Sequence, residues 1–377
     1  MKPKILFFGI KTFPSRGGTD RVAENLIKNL SEDLDITLFC YRDPQADSYF
    51  KNIRIIQFDS ILKGSAGSFL YFFRSAIKAL LMDFDLVHVH KTDCAFFIPL
   101  LMIRHKVIAT SHEAPYRRDK WNALQKFYFK VAEPLFIYLP NKVTCISEPL
   151  SIYYRNRYKR VVHYIPNGIT ALSRENYDYK AASAALPAGA KLDQPYIFFS
   201  ARRLMSTKGC HTMLLALKKI RYQGQIFIAG EGSHHSGYIR ELNKIAKGLN
   251  VHFLGFVHPV QTVLALADKC RLFIFPSETE GMSIMLLEAA SAGRPVIASD
   301  IPENRILNDE DLLFFKNKSA DDLGEKITFA LANMEKMEIM GLSAQKSVSE
   351  NYSWFNISNT YKELYLQAAA QEIIVSG

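Results

Sequence analysis

The 377-residue chain is 48% apolar and carries a formal net charge of +10, which predicts two globular domains with a core each and excludes a disordered or fibrous chain. Its five cysteines, Cys40, Cys94, Cys145, Cys210 and Cys270, are scattered, odd in number and without a Cys-x-x-Cys pair, so neither a disulfide scaffold nor a structural zinc site is expected, and a cytoplasmic location is. No apolar run reaches the 18 residues of a spanning helix, and the N-terminal MKPKILFFGI, closed by Lys11, reads as too short for a signal peptide.

Strand and helix patterns alternate along the chain, the signature of an α/β protein with parallel sheets. KILFFG (4–9) reads as the first strand and VAENLIKNL (22–30) as the first helix. Further strands are expected at 35–40, 53–58, 85–90, 106–110 and 142–147, with helices at 69–82, 94–103, 121–137 and 148–157. Residues 171–194 hold Ala, Pro and Gly with no strand signal and read as an interdomain linker. The pattern restarts with strands at 196–200, 225–230, 251–255, 271–276 and 295–299 and helices at 208–220, 237–247 and 260–268. Tyr352-Ser353-Trp354 opens a last helix running to about residue 370. The domains are therefore drawn at 1–170 and 195–350, with 351–377 as a terminal helical segment.

The run EGMSIMLLEAASAGRPVIAS (280–299) is the most informative. Glu280-Gly281 follows an apolar strand, a helix follows them, and Glu288 stands inside that helix with seven residues between the two carboxylates. Free backbone N–H groups at Met282, Ser283 and Ile284 suit an anion or polar ligand at a helix start. Arg203 and Lys208 lie just past the strand YIFFS, where open parallel sheets bind ligands. Two cations at that spacing suit a diphosphate. Glu231, in AGEGS, also follows a strand, but His235 occupies the third glycine position of a dinucleotide fingerprint, which counts against a nicotinamide cofactor. Gly17-Gly18 opens the first helix and either admits a ligand close to the backbone or makes a tight turn. His112 follows the strand KVIAT after one serine, and His88 and His90 end another strand.

These motifs resemble the retaining glycosyltransferases of family 4, whose fold, GT-B, is two Rossmann-like domains facing across a cleft, with a C-terminal helix, here expected at 351–377, crossing back to the first domain. The resemblance rests on Glu280-Gly281, Glu288-Ala289 and the Gly293-Arg294-Pro295-Val296 turn, and it covers nearly the whole chain. SHEAPYRRDKW (111–121), CIS (145–147) and YIPNG (164–168) are similar to bacterial polysaccharide and lipopolysaccharide members. The resemblance implies a nucleotide-diphosphate sugar as donor, bound by the second domain, with its configuration retained in the product. Glu288 is then expected on the ribose, and Glu280 on sugar hydroxyls with Gly281, Met282, Ser283 and Ile284. Arg203 and Lys208 are expected on the leaving diphosphate, Glu231 near the base, Gly17 and Gly18 facing the donor phosphate, and His112 near the transferred sugar. Arg203 is preferred to Arg202 because Arg-Leu is the matching dipeptide, and Asp20 departs from the more usual Glu before Arg21. No cofactor, no metal and no protein general base are expected.

The charge excess is confined to one half. Residues 1–170 hold 25 Lys+Arg against 15 Asp+Glu, and the remainder holds 22 of each. The acceptor, a glycan or a lipid-linked one, is expected on this basic half, with peripheral contact to an anionic membrane and no nucleic acid. Two segments are candidates for that contact: FLYFFRSAIKALLM (69–82), read as an interfacial or a core-packed helix, and YYRNRYKR (153–160). A GT-B-shaped nucleotide-sugar epimerase and a non-catalytic nucleotide- or polyanion-binding protein are the alternative functions.

Overall fold

A computed structural model describes residues 2–46, 52–114, 122–170, 173–232, 236–282 and 284–370. Ser283, His235 and the 115–121 part of the SHEAPYRRDKW motif lie outside the described residues. The chain forms two units, Met1–Gly168 with Trp354–Gly377, and Ile169–Ser353.

The first unit runs β1 (Lys4–Phe8), α1 (Gly18–Leu30), β2 (Asp35–Tyr41), β3 (Arg54–Phe58), α2 (Gly64–Leu80), β4 (Leu86–Val89), a 3-10 turn (Thr92–Phe97), α3 (Ile98–Met102), β5 (Lys106–Ser111), α4 (Ala123–Tyr138), β6 (Lys142–Cys145), α5 (Glu148–Tyr158) and β7 (His163–Tyr164). Its parallel sheet has the order β3-β2-β1-β4-β5-β6-β7. Central strands read as continuous apolar runs because both faces are covered. Leu6, Phe8, Val87 and Val89 pack under α2 and α4. On the opposite face Phe7 packs against His88, which meets Tyr361 and Tyr365 of the terminal helix Trp354–Ala370. His88 hydrogen-bonds to Tyr365 Oη and Thr110 Oγ1, both at 2.6 Å, which ties that helix to the sheet. An Asn122–Gln125 capping box starts α4.

The second unit holds α6 (Tyr179–Ala185), β8 (Tyr196–Arg203), α7 (Cys210–Lys219), β9 (Gln225–Glu231), α8 (Ser236–Ala246), β10 (Val251–Gly255), α9 (Val260–Lys269), β11 (Leu272–Phe275), α10 (Ile284–Ser291), β12 (Val296–Asp300), β13 (Leu313–Lys316), α11 (Ala320–Ala332) and α12 (Met334–Asn351). The parallel order is β10-β9-β8-β11-β12-β13. The stretch 171–194, expected as a linker, instead carries α6 and belongs to this unit. Tyr179 Oη bonds the buried Asp268 of α9 at 3.0 Å, and Arg174 pairs with the same carboxylate at 2.8 Å, which fastens the segment down. The helix expected at 94–103 splits into the 3-10 turn and α3, with Pro99 in the first turn of α3.

Candidate active site

In the second unit β8 and β11 are neighbours, but β8 leads outward to β9 and β11 leads the other way to β12. Their loops therefore diverge at the carboxyl ends of the strands, leaving the crevice where open α/β sheets hold ligands. Two loops meet there. Glu278 N–H donates to Thr207 O at 2.9 Å, and Lys208 Nζ lies 2.5 Å from Glu280 Oε1. Both side chains of this ion pair are largely shielded, Glu280 more than Lys208. Gly209 makes the approach possible. It sits at φ +68, and a Cβ there would overlap the Pro276 carbonyl oxygen.

Arg203 ends β8 in register with Glu231 at the end of β9, and Leu204 N–H donates to Glu231 O at 2.8 Å. The Arg203 side chain is exposed and forms no ion pair among the described residues. Arg202 is exposed too. Gly281 and Met282 lead into α10, with the Met282 side chain buried, and Ile284 is its first residue. Glu288 follows in the second turn, also buried.

A second carboxylate cluster was not apparent in the sequence. Glu278 pairs with Lys318 at 3.1 Å and faces His211 Nε2 at 3.4 Å. His211 Nδ1 is 2.9 Å from Tyr238 Oη, and Asn317 donates to Glu278 O at 3.1 Å. Glu278 thus fixes the loop that carries Glu280. Its position one residue past a strand-end Ser was the available signal.

The first unit repeats the arrangement between β1 and β4. Gly17 caps α1 in an extended conformation; a Cβ on Gly18 would meet nothing within 4 Å, and one on Gly17 only Asp20 at 3.4 Å. Neither glycine is needed for a left-handed turn. Asp20 accepts from Thr12 Oγ1 at 2.7 Å and pairs with Lys91 Nζ at 2.9 Å. Burial alone would raise the Asp20 carboxyl; the Lys91 ammonium, the Thr12 hydroxyl and Lys11 N–H overcome that and hold it below the usual carboxylate range. Lys91, which immediately follows a predicted strand, was missed although the strand-end rule that selected His112 applies equally to it.

His112 stacks on His90 with ring centroids 5.9 Å apart, and His90 lies 3.8 Å from His88. Burial, assisted by the Lys91 charge, pulls His112 down to about 3 against a smaller upward pull from Asp20. Burial also holds His88 and His90 well below the ordinary imidazole range. All three rings are neutral near pH 7. The unfolded chain, with imidazoles near their ordinary value, binds protons that the folded chain refuses. Stability should therefore fall as pH drops below about 6.5, with each imidazole adding a slope of up to ~1.4 kcal/mol per pH unit. Urea unfolding of the first unit between pH 7 and 4.5 is expected to show this loss. His90→Phe, which keeps a ring in the stack, should flatten the slope, and an unchanged slope would exclude His90 as a contributor.

The chain contains three Asp-x-Asp triplets, at 33–35, 83–85 and 309–311. Asp33, Asp83 and Asp309 pair with Lys362, Arg104 and Arg305, Asp85 accepts from Lys4 N–H, and Asp311 accepts from Ser343 and Ser347. Among the described residues no group of three or more His, Cys, Asp or Glu side chains converges as a metal site. The five cysteines are free and buried.

Comparison with known proteins matches most of each unit to a family model of its own. Residues 16–171 match the family described as Glycosyltransferase Family 4, and residues 185–347 match Glycosyl transferases group 1. The chain is 24% identical over 368 residues to an uncharacterised glycosyltransferase of Methanocaldococcus jannaschii, covering 93% of this chain and 96% of that one. It is 31% identical over 120 residues to the N,N'-diacetylbacillosaminyl-diphospho-undecaprenol alpha-1,3-N-acetylgalactosaminyltransferase of Campylobacter jejuni, a match spanning 30% of each protein. Among solved structures, Anabaena HepE in complex with UDP and glucose superposes with a TM-score of 0.79 at 18% identity, covering 97% of this chain and all of that one.

Proposed function

Because the chain belongs to the glycosyltransferases, a family 4 domain followed by a group 1 domain on the GT-B fold, we propose that it moves a sugar from a nucleotide-diphosphate donor to a glycan or lipid-linked acceptor with retention of configuration, in cell-surface polysaccharide synthesis. The observation that carries this reading is the Lys208–Glu280 pair at the β8/β11 crevice, beside the start of α10. An ammonium has three donors. One faces Glu280 and two remain for phosphate oxygens, so a single contact couples the diphosphate cation to the carboxylate assigned to the sugar. Arg203 supplies a second cation at the same sheet edge. Together they stabilise the charge that grows on the leaving diphosphate, the main electrostatic demand of the reaction. Glu288 is assigned to the ribose, Glu231 to the base side, and neutral His112 to a sugar hydroxyl. The UDP carried by HepE and the lipid-diphosphate substrate in the name of the Campylobacter relative support the donor and acceptor classes.

In the retaining step we assign, the sugar C–O bond to phosphate breaks as the acceptor oxygen bonds the same face, and the departing phosphate oxygen takes the acceptor proton. No protein base and no metal are needed. Turnover is therefore expected to persist in EDTA. Proton NMR at early times should show the donor's anomeric configuration in the product, with water as acceptor if no glycan is supplied. Complete loss in EDTA restored by magnesium or manganese contradicts the metal-free part, and an inverted product contradicts retention.

A further inference from the structure

The helix α2 is neither wholly core nor wholly surface. Tyr71, Phe72, Ser75, Ala76 and Ala79 face the core, while Phe69, Phe73 and Ile77 are 40–49% exposed and stand four residues apart in one stripe. The helix α4 repeats this: Phe129, Ala132, Phe136 and Ile137 are buried, and Leu124, Phe127 and Val131, spaced three and four apart, are 41–76% exposed. Both helices flank the 3-10 turn Thr92–Phe97. Phe69 and Phe73 lie 5.0 and 6.3 Å from Phe97, Tyr128 lies 4.9 Å from Phe96, and Gln125 Nε2 donates to Ser65 Oγ at 3.4 Å. Ile61 and Leu62, just ahead of α2, extend the exposed apolar surface. Single exposed apolar residues are ordinary, but two adjoining stripes form a patch of the kind that marks an interaction face.

Charge identifies the occupant. The two helices carry Arg74, Lys78, Lys126 and Lys130, and their one acid, Glu133, is buried against Tyr158 Oη. Asp93 in the intervening turn is paired with Lys11 at 3.6 Å. Lys78 and Lys130 are exposed beside the stripes, so their ammonium groups can reach outward while their stems cover apolar surface. Aromatic residues set among lysines without acids are the composition of a helix lying in a membrane interface. A second copy of the chain would bring the same cations against each other. The 153–160 cluster does not serve this role: Tyr154 and Tyr158 are buried, Arg157 lies near Glu133, and the Arg160 guanidinium binds the carbonyls of Ile137, Tyr138 and Pro140 at the end of α4.

We propose that the α2–α4 face of the first unit docks on an anionic phospholipid surface, with Phe69, Phe73, Leu124 and Phe127 inserted and Lys78 and Lys130 at the headgroups. The first half of α2 is tied to the segment that follows β1 by Lys11 Nζ donating to Ser68 Oγ at 2.8 Å and Tyr71 Oη donating to Ile10 O at 2.6 Å. The face therefore borders the sheet edge that carries Gly17 and His112. Presentation of a lipid-linked acceptor there rests on the transferase reading; the docking itself does not.

Co-sedimentation of the full chain with phosphatidylglycerol/phosphatidylcholine vesicles tests the docking without donor or turnover, so it can fail while the transferase reading stands. Wild type is expected to bind the mixed vesicles, to bind pure phosphatidylcholine much more weakly, and to lose most binding at 0.5 M salt, where charge attraction is screened within about 4 Å. Phe69→Ser with Phe73→Ser, and separately Lys78→Glu with Lys130→Glu, should each lower the partition coefficient at least tenfold. All four sites are exposed, and unchanged circular dichroism will show that the fold survives. Arg155→Glu with Lys159→Glu should bind like wild type. Absence of binding to either vesicle, unchanged binding in both face variants, or a dimer in solution that the phenylalanine variant dissolves would each overturn the proposal.

Discussion

Glu280→Ala is expected to lower kcat on the order of 100-fold or more while moving the donor KM little, and Glu288→Ala is expected to do the reverse. Glu280 holds Lys208 at 2.5 Å at the mouth of the β8/β11 crevice, so removing it should disturb both the sugar contact proposed for Glu280 and the cation proposed for the leaving group. Loss of one preorganised charge contact to a developing oxyanion typically costs 10²–10³ in turnover. Glu288 sits inside α10, buried, and the partner proposed for it, the ribose, would be bound equally in ground and transition states. Uniform binding appears in KM. Lys208→Ala should share the turnover loss of Glu280→Ala and raise the donor KM as well, and the double variant should be no worse than about tenfold below the poorer single one in kcat, because contacting residues are not additive. Steady-state kinetics of the four proteins decide this. The same loss pattern at Glu280 and Glu288 contradicts the division of roles, and full additivity contradicts the coupling through the ion pair.

Gly209→Ala is expected to have the largest effect on stability of any single methyl addition in the second unit. Two penalties combine. A side chain in the left-handed region costs roughly 1–2 kcal/mol, and the added Cβ would occupy the space of the Pro276 carbonyl oxygen, forcing the loops after β8 and β11 apart. A total of about 3 kcal/mol or more would lower the melting temperature of a unit this size by roughly 6–12 °C. The same displacement separates Lys208 from Glu280, so donor affinity should fall with it. Differential scanning calorimetry will check the first effect. A melting temperature within about 2 °C of wild type contradicts the packing account.

Much of this architecture was legible as sequence. Eleven strands were placed to within three residues because each is an apolar run bounded by polar or glycine residues, and all but the edge strands β3 and β10 are largely buried. The misses have physical causes. β7 is two exposed residues, too short for any pattern, and β13 carries its run between acidic segments that read as loop. Residues 171–194 lack β-branched or aromatic runs, yet α6 needs only a few alanines and an Asp178 cap to dock on α9. At the site, the sequence marked individual strand ends but not which ends are neighbours. Lys208 and Glu280 are 72 residues apart, and only the lateral order β8-β11 brings them into contact. The contacts among Glu278, His211 and Lys318 were invisible for that reason. In YYRNRYKR the i, i+4 spacing of Tyr154 and Tyr158 already marked a core face, and the structure buries it.

Isothermal titration calorimetry with UDP, GDP and ADP on wild type, Arg203→Ala and Lys208→Ala tests the central claim most directly. At least one of the three nucleotides is expected to bind wild type, and each substitution to weaken it by roughly 10- to 100-fold, the equivalent of about 1.5–3 kcal/mol for a lost charge-assisted contact. Absence of binding by all three nucleotides, or an affinity unchanged in both variants, would contradict a nucleotide-diphosphate donor held at the β8/β11 crevice.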